Sequence, residues 1–408
     1  MHWVTKPLVM AAMVASGMAQ AAAAQANDAW SGDGGVDGFY QWQAPLPARA
    51  ATLLRKAPAP AQDALPQAAQ AWRILYTATD FRDARRLVTV SGLVYVPAGR
   101  APRGGWPVIA WAHGTTGIAD VCAPSFTGPS TRDKAYLGAW LARGYAVIAS
   151  DYAGLGTPGV HPYLQYRSEG LSILDGVSAA TRALPQLSAR RIAVVGQSQG
   201  SQAALSAAEL APAHAPHLGI RAVVATGLIA QEDVTPPQDP AALYVNPADA
   251  GNTGYEAIWL LGTARSVAPE AIRPEEYVSP AGLPVLKLAT TACFRDIGRK
   301  AAALGVRVSA FYKGDIRALE QRIKPTTDYP APHIGVPVFV GTGLNDEAAP
   351  ADRQRAFAQA MCRKGTQVAW HGYPGEDHGS AVMASFRDSA PFVAAAMAGH
   401  APAGNCPA

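Results

Sequence analysis

Gly196-Gln197-Ser198-Gln199-Gly200 follows the apolar run Ile192 to Val195 and precedes a helical stretch rich in Ala and Ser. A serine set between two glycines at a strand-to-helix turn has its hydroxyl pushed out of a sharp bend, because a Cβ at either glycine would collide with the neighbouring strand and helix. The competing reading is an ordinary glycine-rich turn with a capping serine. As a nucleophile, a serine hydroxyl needs a base, and that base needs a carboxylate to hold the correct tautomer. On a turn of this kind the acid follows a later strand and the histidine comes last in the chain. Among nine histidines, that order selects His378, with Asp346 as the acid.

Asp346 ends the segment Val338-Phe-Val-Gly-Thr-Gly-Leu-Asn-Asp346, an apolar strand running into a glycine-rich turn. Catalytic groups gather at the carboxyl edge of such strands. Glu347 is the alternative acid, and a simple Asx turn is the non-catalytic alternative. His378 lies in Gly375-Glu-Asp-His378-Gly-Ser380, between a strand ending near Trp370 and a helix beginning near Ser380. His371, at the strand end, reads as a packing residue, while His214 and His217 fall on what reads as a surface loop after the serine helix. An attack on a carbonyl also needs two N–H donors for the oxyanion, and the turn itself supplies the amide of Gln199. The second comes either from the loop Ala112-His113-Gly114-Thr-Thr-Gly117, where glycine permits close backbone approach, or from Ser150-Asp151-Tyr152-Ala-Gly154.

These residues need a sheet to bring them together. Short continuous apolar runs at 107–112 and 145–150 have the pattern of strands buried on both faces, and 192–195, 222–226 and 338–340 are further strand candidates. Helical patterns at 134–143, 169–183 and 201–210 alternate with them, the signature of a mostly parallel sheet flanked by helices. Runs at 72–77 and 87–96 add further strands, and 367–370 another. Residues 228 to 333 break the rhythm with Pro-rich turns and short helix-like pieces such as 255–261 and 281–294. A structureless connection of that length is uncommon in a compact domain, so the segment reads as a largely helical inserted cap. The expected organisation is a signal peptide at 1–26, an N-terminal arm at 27–70, a core at 71–227 and 334–408, and the cap at 228–333.

The 408 residues are 49% hydrophobic and 16% charged, with 39 Gly and 33 Pro, which excludes an acidic disordered chain or a coiled coil. A balance of 34 Lys and Arg against 30 Asp and Glu, a net charge of +4 without basic runs, excludes nucleic acid as the main partner. Lys6, the apolar stretch from Leu8 to Met18 and the small residues Ala19 to Ala26 read as a signal peptide, and no apolar run reaches the roughly 18 residues needed to cross a bilayer. The expected location is therefore secreted or periplasmic. In that oxidising setting Cys122, Cys293, Cys362 and Cys406 read as two disulfides rather than metal ligands. Of three possible pairings the favoured one joins Cys362 to Cys406, tying down an Ala- and Pro-rich C-terminus, and leaves Cys122 with Cys293. No metal motif or P-loop is present. Gly154-Leu-Gly156-Thr-Pro-Gly159 matches a dinucleotide fingerprint with Asp175 near the expected distance, but Pro158 and Pro162 deny it the helix it needs, and no cofactor is expected.

The motifs Ala51-Thr-Leu-Leu-Arg55, Ser91-Gly-Leu-Val-Tyr-Val-Pro97, Ala112-His-Gly-Thr-Thr-Gly117, Ser150-Asp-Tyr-Ala-Gly-Leu-Gly156, Gly196-Gln-Ser-Gln-Gly200, Asn345-Asp346 and Asp377-His378-Gly379 together resemble the secretory lipase family of α/β hydrolases. The resemblance implies an α/β-hydrolase fold with residues 228 to 333 as a lid. It further implies Ser198, Asp346 and His378 as a triad, the residues near Asp151 as the second oxyanion donor beside Gln199, and two disulfides. The activity it implies is ester hydrolysis through an acyl-enzyme on an ester or lipid substrate, with transient contact at a lipid interface. A peptidase or acyltransferase on the same fold is the rival enzyme, and a secreted binding protein without catalysis is the rival of another class. The sequence leaves acyl-chain length and oligomeric state open.

Overall fold

The computed structural model describes residues 28–229 and 250–406, so the expected signal peptide and part of the 228–333 segment lie outside the described residues. Nine strands form one sheet: β1 (Leu53–Pro58), β2 (Ala68–Asp80), β3 (Asp83–Pro97), β4 (Trp106–Ala112), β5 (Ala146–Ser150), β6 (Leu187–Gln197), β7 (Ile220–Thr226), β8 (Val338–Gly343) and β9 (Val368–Tyr373). Their order is β1-β2-β3-β5-β4-β6-β7-β8-β9. The pairs β1–β2, β2–β3 and β3–β5 are antiparallel and the other five are parallel. Every residue of β5 and of β8 is buried, as continuous apolar runs covered by helices on both faces must be.

Before β5 come the turn α1 (Pro124–Thr127) and α2 (Thr131–Ala142), which starts where the Ser130 side chain accepts from the Asp133 amide. Two long helices, α3 (Tyr166–Ala183) and α4 (Gln199–His214), follow β5 and β6 and pack side by side. Between β7 and β8 the described residues form short helices: α5 (Thr253–Ile258), a π-helical turn at 259–264, α6 (Arg265–Val267), α7 (Leu283–Ala289), α8 (Phe294–Ala303), α9 (Val308–Phe311) and α10 (Arg317–Thr327). They share an apolar core of their own, including Ile258, Leu261, Leu286, Ile297 and Phe311, which continues into Ile118 and Tyr163 at the edge of the sheet. Finally, α11 (Ala351–Arg363) and α12 (Ala381–Met397) complete the layers. On one face Phe386 of α12 meets Trp140 of α2 edge-on, with ring centroids 4.9 Å apart.

The arm at 27–70 is more structured than its composition suggests. Leu53–Pro58 forms the edge strand β1, half-buried and carrying Arg55, Lys56 and Pro58, residues that blunt an edge. Tyr40 is fully buried and packs with Phe39 and Leu75. The four cysteines form two disulfides, Cys122–Cys293 and Cys362–Cys406. Among the described residues no helix is long and apolar enough to cross a membrane.

Candidate active site

Parallel register aligns the carboxyl ends of five strands. Ala112 of β4 stands opposite Ser150 of β5 and Gly196 of β6, Gln197 stands opposite Thr226 of β7, and Thr226 stands opposite Gly341 of β8. The loops leaving this edge carry His113 and Gly114, Asp151, Ser198, Gly227, Asp346 and, one strand further, His378. The crevice beyond such an edge is where α/β sheets bind ligands.

Ser198 forms the N-cap of α4 with φ 57° and ψ −124°, a left-handed conformation that is strained for a residue with a side chain. Its amide donates to the Thr226 carbonyl at 3.0 Å. The two flanking glycines are there for space. A Cβ on Gly196 would run into the backbone of Gly200, and one on Gly200 into the carbonyl of Ala112. Ser198 is buried, yet no hydrogen bond joins it to His378 among the described residues; such contacts are often loose until substrate is bound.

The imidazole and carboxylate do meet. His378 Nδ1 lies 2.8 Å from Asp346 Oδ2, with the carboxylate fully buried and the imidazole about one-fifth exposed. A proton on Nδ1 donated to that oxygen leaves Nε2 with its lone pair free. Asp346 is itself held: Oδ1 accepts from the Ala349 amide at 2.7 Å, and Oδ2 also accepts from Gln354 Nε2 at 3.0 Å. Gln354 is fully buried, and its Oε1 accepts from the Leu228 amide and the Thr342 hydroxyl, both at 3.0 Å. Gly227, at φ 58°, passes beneath the pair. A Cβ there would come within 2.9 Å of His378 Cε1 and 3.0 Å of Nδ1. On the other side, Gln197 Nε2 donates to the His378 carbonyl at 3.3 Å, and Arg132 Nη2 donates to Gln197 Oε1 at 3.1 Å.

Gln199 is the first residue of α4, so its amide is one of the unsatisfied donors at a helix N-terminus and lies next to Ser198. Asp151 is placed differently from the sequence expectation. Its amide donates to the Ser91 carbonyl at 2.9 Å, and its buried carboxylate accepts from the Ser91 hydroxyl at 2.7 Å, the Ser125 amide at 3.0 Å and the Ser125 hydroxyl. With its N–H engaged inside the sheet, Asp151 has no donor to offer an oxyanion. The loop after β4 does, because the Gly114 and Thr115 amides have no partner among the described residues, and a Cβ on Gly114 would sit 3.4 Å from that of Ser198. The register that sets Ala112 beside Gly196 could have favoured this loop from the outset, but register is not readable from strand runs alone.

The remaining candidates have structural partners. His371 stacks on Phe339, ring centroids 4.9 Å apart. His214 is not on a surface loop: it ends α4, half-buried, with Nε2 2.9 Å from Asp175 Oδ1 of α3, and His217 Nε2 lies 3.1 Å from the Ser178 hydroxyl. Gly154 and Gly156 both have φ near 75° in a tight turn that opens no helix. Among the described residues no cluster of three or more His, Cys, Asp or Glu is arranged to hold a metal.

Residues 124–236 match the family model described as Secretory lipase, a span that includes Ser198 and stops short of Asp346 and His378. No curated protein matches the chain. Among solved structures it is similar to Candida antarctica lipase A in its closed state, with a TM-score of 0.66 at 20% identity over 94% of this chain and 90% of that one. It is also similar to the rice cell wall degrading esterase LipA from Xanthomonas oryzae, with a TM-score of 0.65 at 17% identity over 85% of this chain and 97% of the other. A putative hydrolase from Legionella pneumophila gives 0.62 at 18% identity, over 80% and 88%. The fold is that of the α/β hydrolases, and the family resemblance carried by the motifs is found again by the family model.

Proposed function

We propose that this chain is a secreted serine carboxylic-ester hydrolase of the lipase or esterase kind. The observation that carries the reading is the 2.8 Å contact between His378 Nδ1 and buried Asp346, at the same sheet edge where Ser198 stands in a left-handed turn. In the proposed cycle His378 Nε2 takes the Ser198 proton as Oγ attacks the ester carbonyl, and Asp346 stabilises the imidazolium that forms. The imidazolium returns that proton to the leaving alcohol as the C–O bond breaks, leaving an acyl-serine. Water then gives a proton to Nε2, attacks the acyl carbonyl, and releases the acid with Ser198 restored.

For the oxyanion, the proposed donors are the Gln199 amide and an amide of the Gly114–Thr115 segment. Residues 228 to 333 are proposed as the cover of the acyl site. Within it the rings of Tyr255 and Phe294 meet with centroids 4.2 Å apart and planes tilted by 37°, an aromatic pair suited to contact with an acyl chain. The proposed signal peptide at 1–26 and the two disulfides support export.

Ser198→Ala tests the reading. Turnover of p-nitrophenyl esters should fall by roughly 10⁶-fold if the three groups act as a unit, and the wild type but not the variant should be labelled by a fluorophosphonate. Wild-type turnover by Ser198→Ala would overturn it.

A further inference from the structure

Behind the nucleophile turn lies a buried polar cluster that the proposed reaction does not use directly. Gln199 Nε2 donates to Glu169 Oε1 at 2.7 Å and lies 3.1 Å from His161 Nε2. The Leu164 amide donates to the same Glu169 oxygen at 3.0 Å. His161 Nδ1 is 2.8 Å from the Ala153 carbonyl, which fixes its proton on Nδ1 and leaves Nε2 to accept from Gln199. All three side chains are essentially inaccessible to water. Both hydrogens of the Gln199 amide group are therefore used, one by each partner.

The backbone goes out of its way to build this arrangement. Leu164 has φ 56°, a left-handed value, and its amide reaches Glu169 from there. Gly170 lets α3 approach α4 so closely that a Cβ would come within 2.6 Å of the Ser206 hydroxyl and 3.0 Å of the Ala207 amide. Burying a carboxyl group there is costly, and burial pushes the Glu169 pKa up to about 8 and that of His161 down to about 3. Glu169 Oε2 has no partner among the described residues and is the oxygen that carries the proton when the group is neutral.

Resting on the reaction proposed above, we infer that Glu169 and His161 are positioning residues: by clamping the Gln199 side chain they fix the first peptide of α4, and with it the N–H aimed at the oxyanion. A strained residue such as Ser198 keeps its conformation only when its surroundings over-determine it, and Gln199 is the next residue along the chain. The clamp acts on an amide that matters only in the transition state, so its loss should lower kcat and leave KM unchanged.

The test compares Glu169→Leu, which removes the acceptor, with Glu169→Gln, which keeps it at Oε1. Asp175→Asn is the control, since Asp175 joins the same two helices through His214, far from the turn. With p-nitrophenyl acetate, Glu169→Leu should lose about 10- to 100-fold in kcat at unchanged KM, the scale of a small misplacement of a catalytic group. Glu169→Gln should recover most of that loss, and Asp175→Asn should show none. Fluorophosphonate labelling of Ser198 should slow in parallel, because the phosphonyl oxygen occupies the oxyanion position. If Glu169→Leu does not fold, His161→Phe, which keeps a ring on Tyr152, gives the same readout. A folded Glu169→Leu with wild-type kcat, or equal loss in Glu169→Leu and Glu169→Gln, overturns the inference. A wild type that resists the fluorophosphonate overturns the underlying reading instead.

Discussion

Gln197 ties the Ser198 turn to the His378 loop, its Nε2 donating to the His378 carbonyl at 3.3 Å across 181 residues of chain. The residue before Ser198 thus holds the backbone of His378, while Arg132 holds Gln197.

Gln197→Glu separates these two contacts. A carboxylate still receives Arg132 but cannot donate to His378. Hydrolysis of p-nitrophenyl esters is expected to fall about 10-fold or more with KM unchanged, since small displacements of a base act on kcat. Wild-type kcat would show that the histidine loop needs no such tie.

Gly227→Ala should displace the imidazole. The position combines φ 58° with a contact of 2.9 Å to His378 Cε1, whereas Gly305 has φ 64° and nothing within 4 Å. Both alanines carry the left-handed penalty of about 1–2 kcal/mol. Only Gly227→Ala should lose kcat as well, by about 100-fold. Thermal melts alongside steady-state kinetics on the two variants separate strain from displacement.

Gln354→Leu removes the amide that supports Asp346 and strands the Leu228 amide and Thr342 hydroxyl. Each stranded buried group costs about 1–3 kcal/mol. Denaturant titration should show that loss together with reduced kcat, whereas Gln354→Glu should accept from both groups but place a second negative charge against Asp346.

Asp63 makes stability fall with rising pH. It is buried with both carboxylate oxygens unpartnered among the described residues, and burial, with the field of Asp151, raises its pKa from 3.8 to about 7. Below pH about 4 the group is protonated folded or unfolded. Between there and about 7 only the folded state keeps the proton, so folding loses ground as pH rises. Asp63→Asn should therefore gain in Tm relative to the wild type from pH 4 to 8. A constant difference across that range would refute the assignment.

The strands that carry the site are readable because each holds a short apolar run, as Ile192–Val195 in β6 and Val338–Val340 in β8 show. Ser198, Asp346 and His378 could be placed on the sheet edge because glycine-rich turns follow those runs. What the strand runs do not reveal depends on pairing across the fold. β1 is half-exposed and charged, so nothing local distinguishes it from a loop. Asp151 sits where an edge donor would, but only its bond to Ser91 on an antiparallel neighbour reveals that its amide is engaged. Glu169 and Gln354 lie on helices where polar residues usually face water, and their burial follows from helix contacts that no spacing announces.

The loop beside Ser198 is bound to the β7–β8 insertion twice over, through Cys122–Cys293 and through the Phe294 amide donating to the Thr116 carbonyl at 2.8 Å. Cys293 follows its partner by 171 residues. A ribosome therefore releases the whole Ser198 turn long before the thiol that fastens its neighbour exists. Anchoring of the loop beside Ser198 must wait for an oxidation event as well as for folding, so chain made in a reducing compartment would carry Ser198, His378 and Asp346 beside a loop still lacking its covalent link.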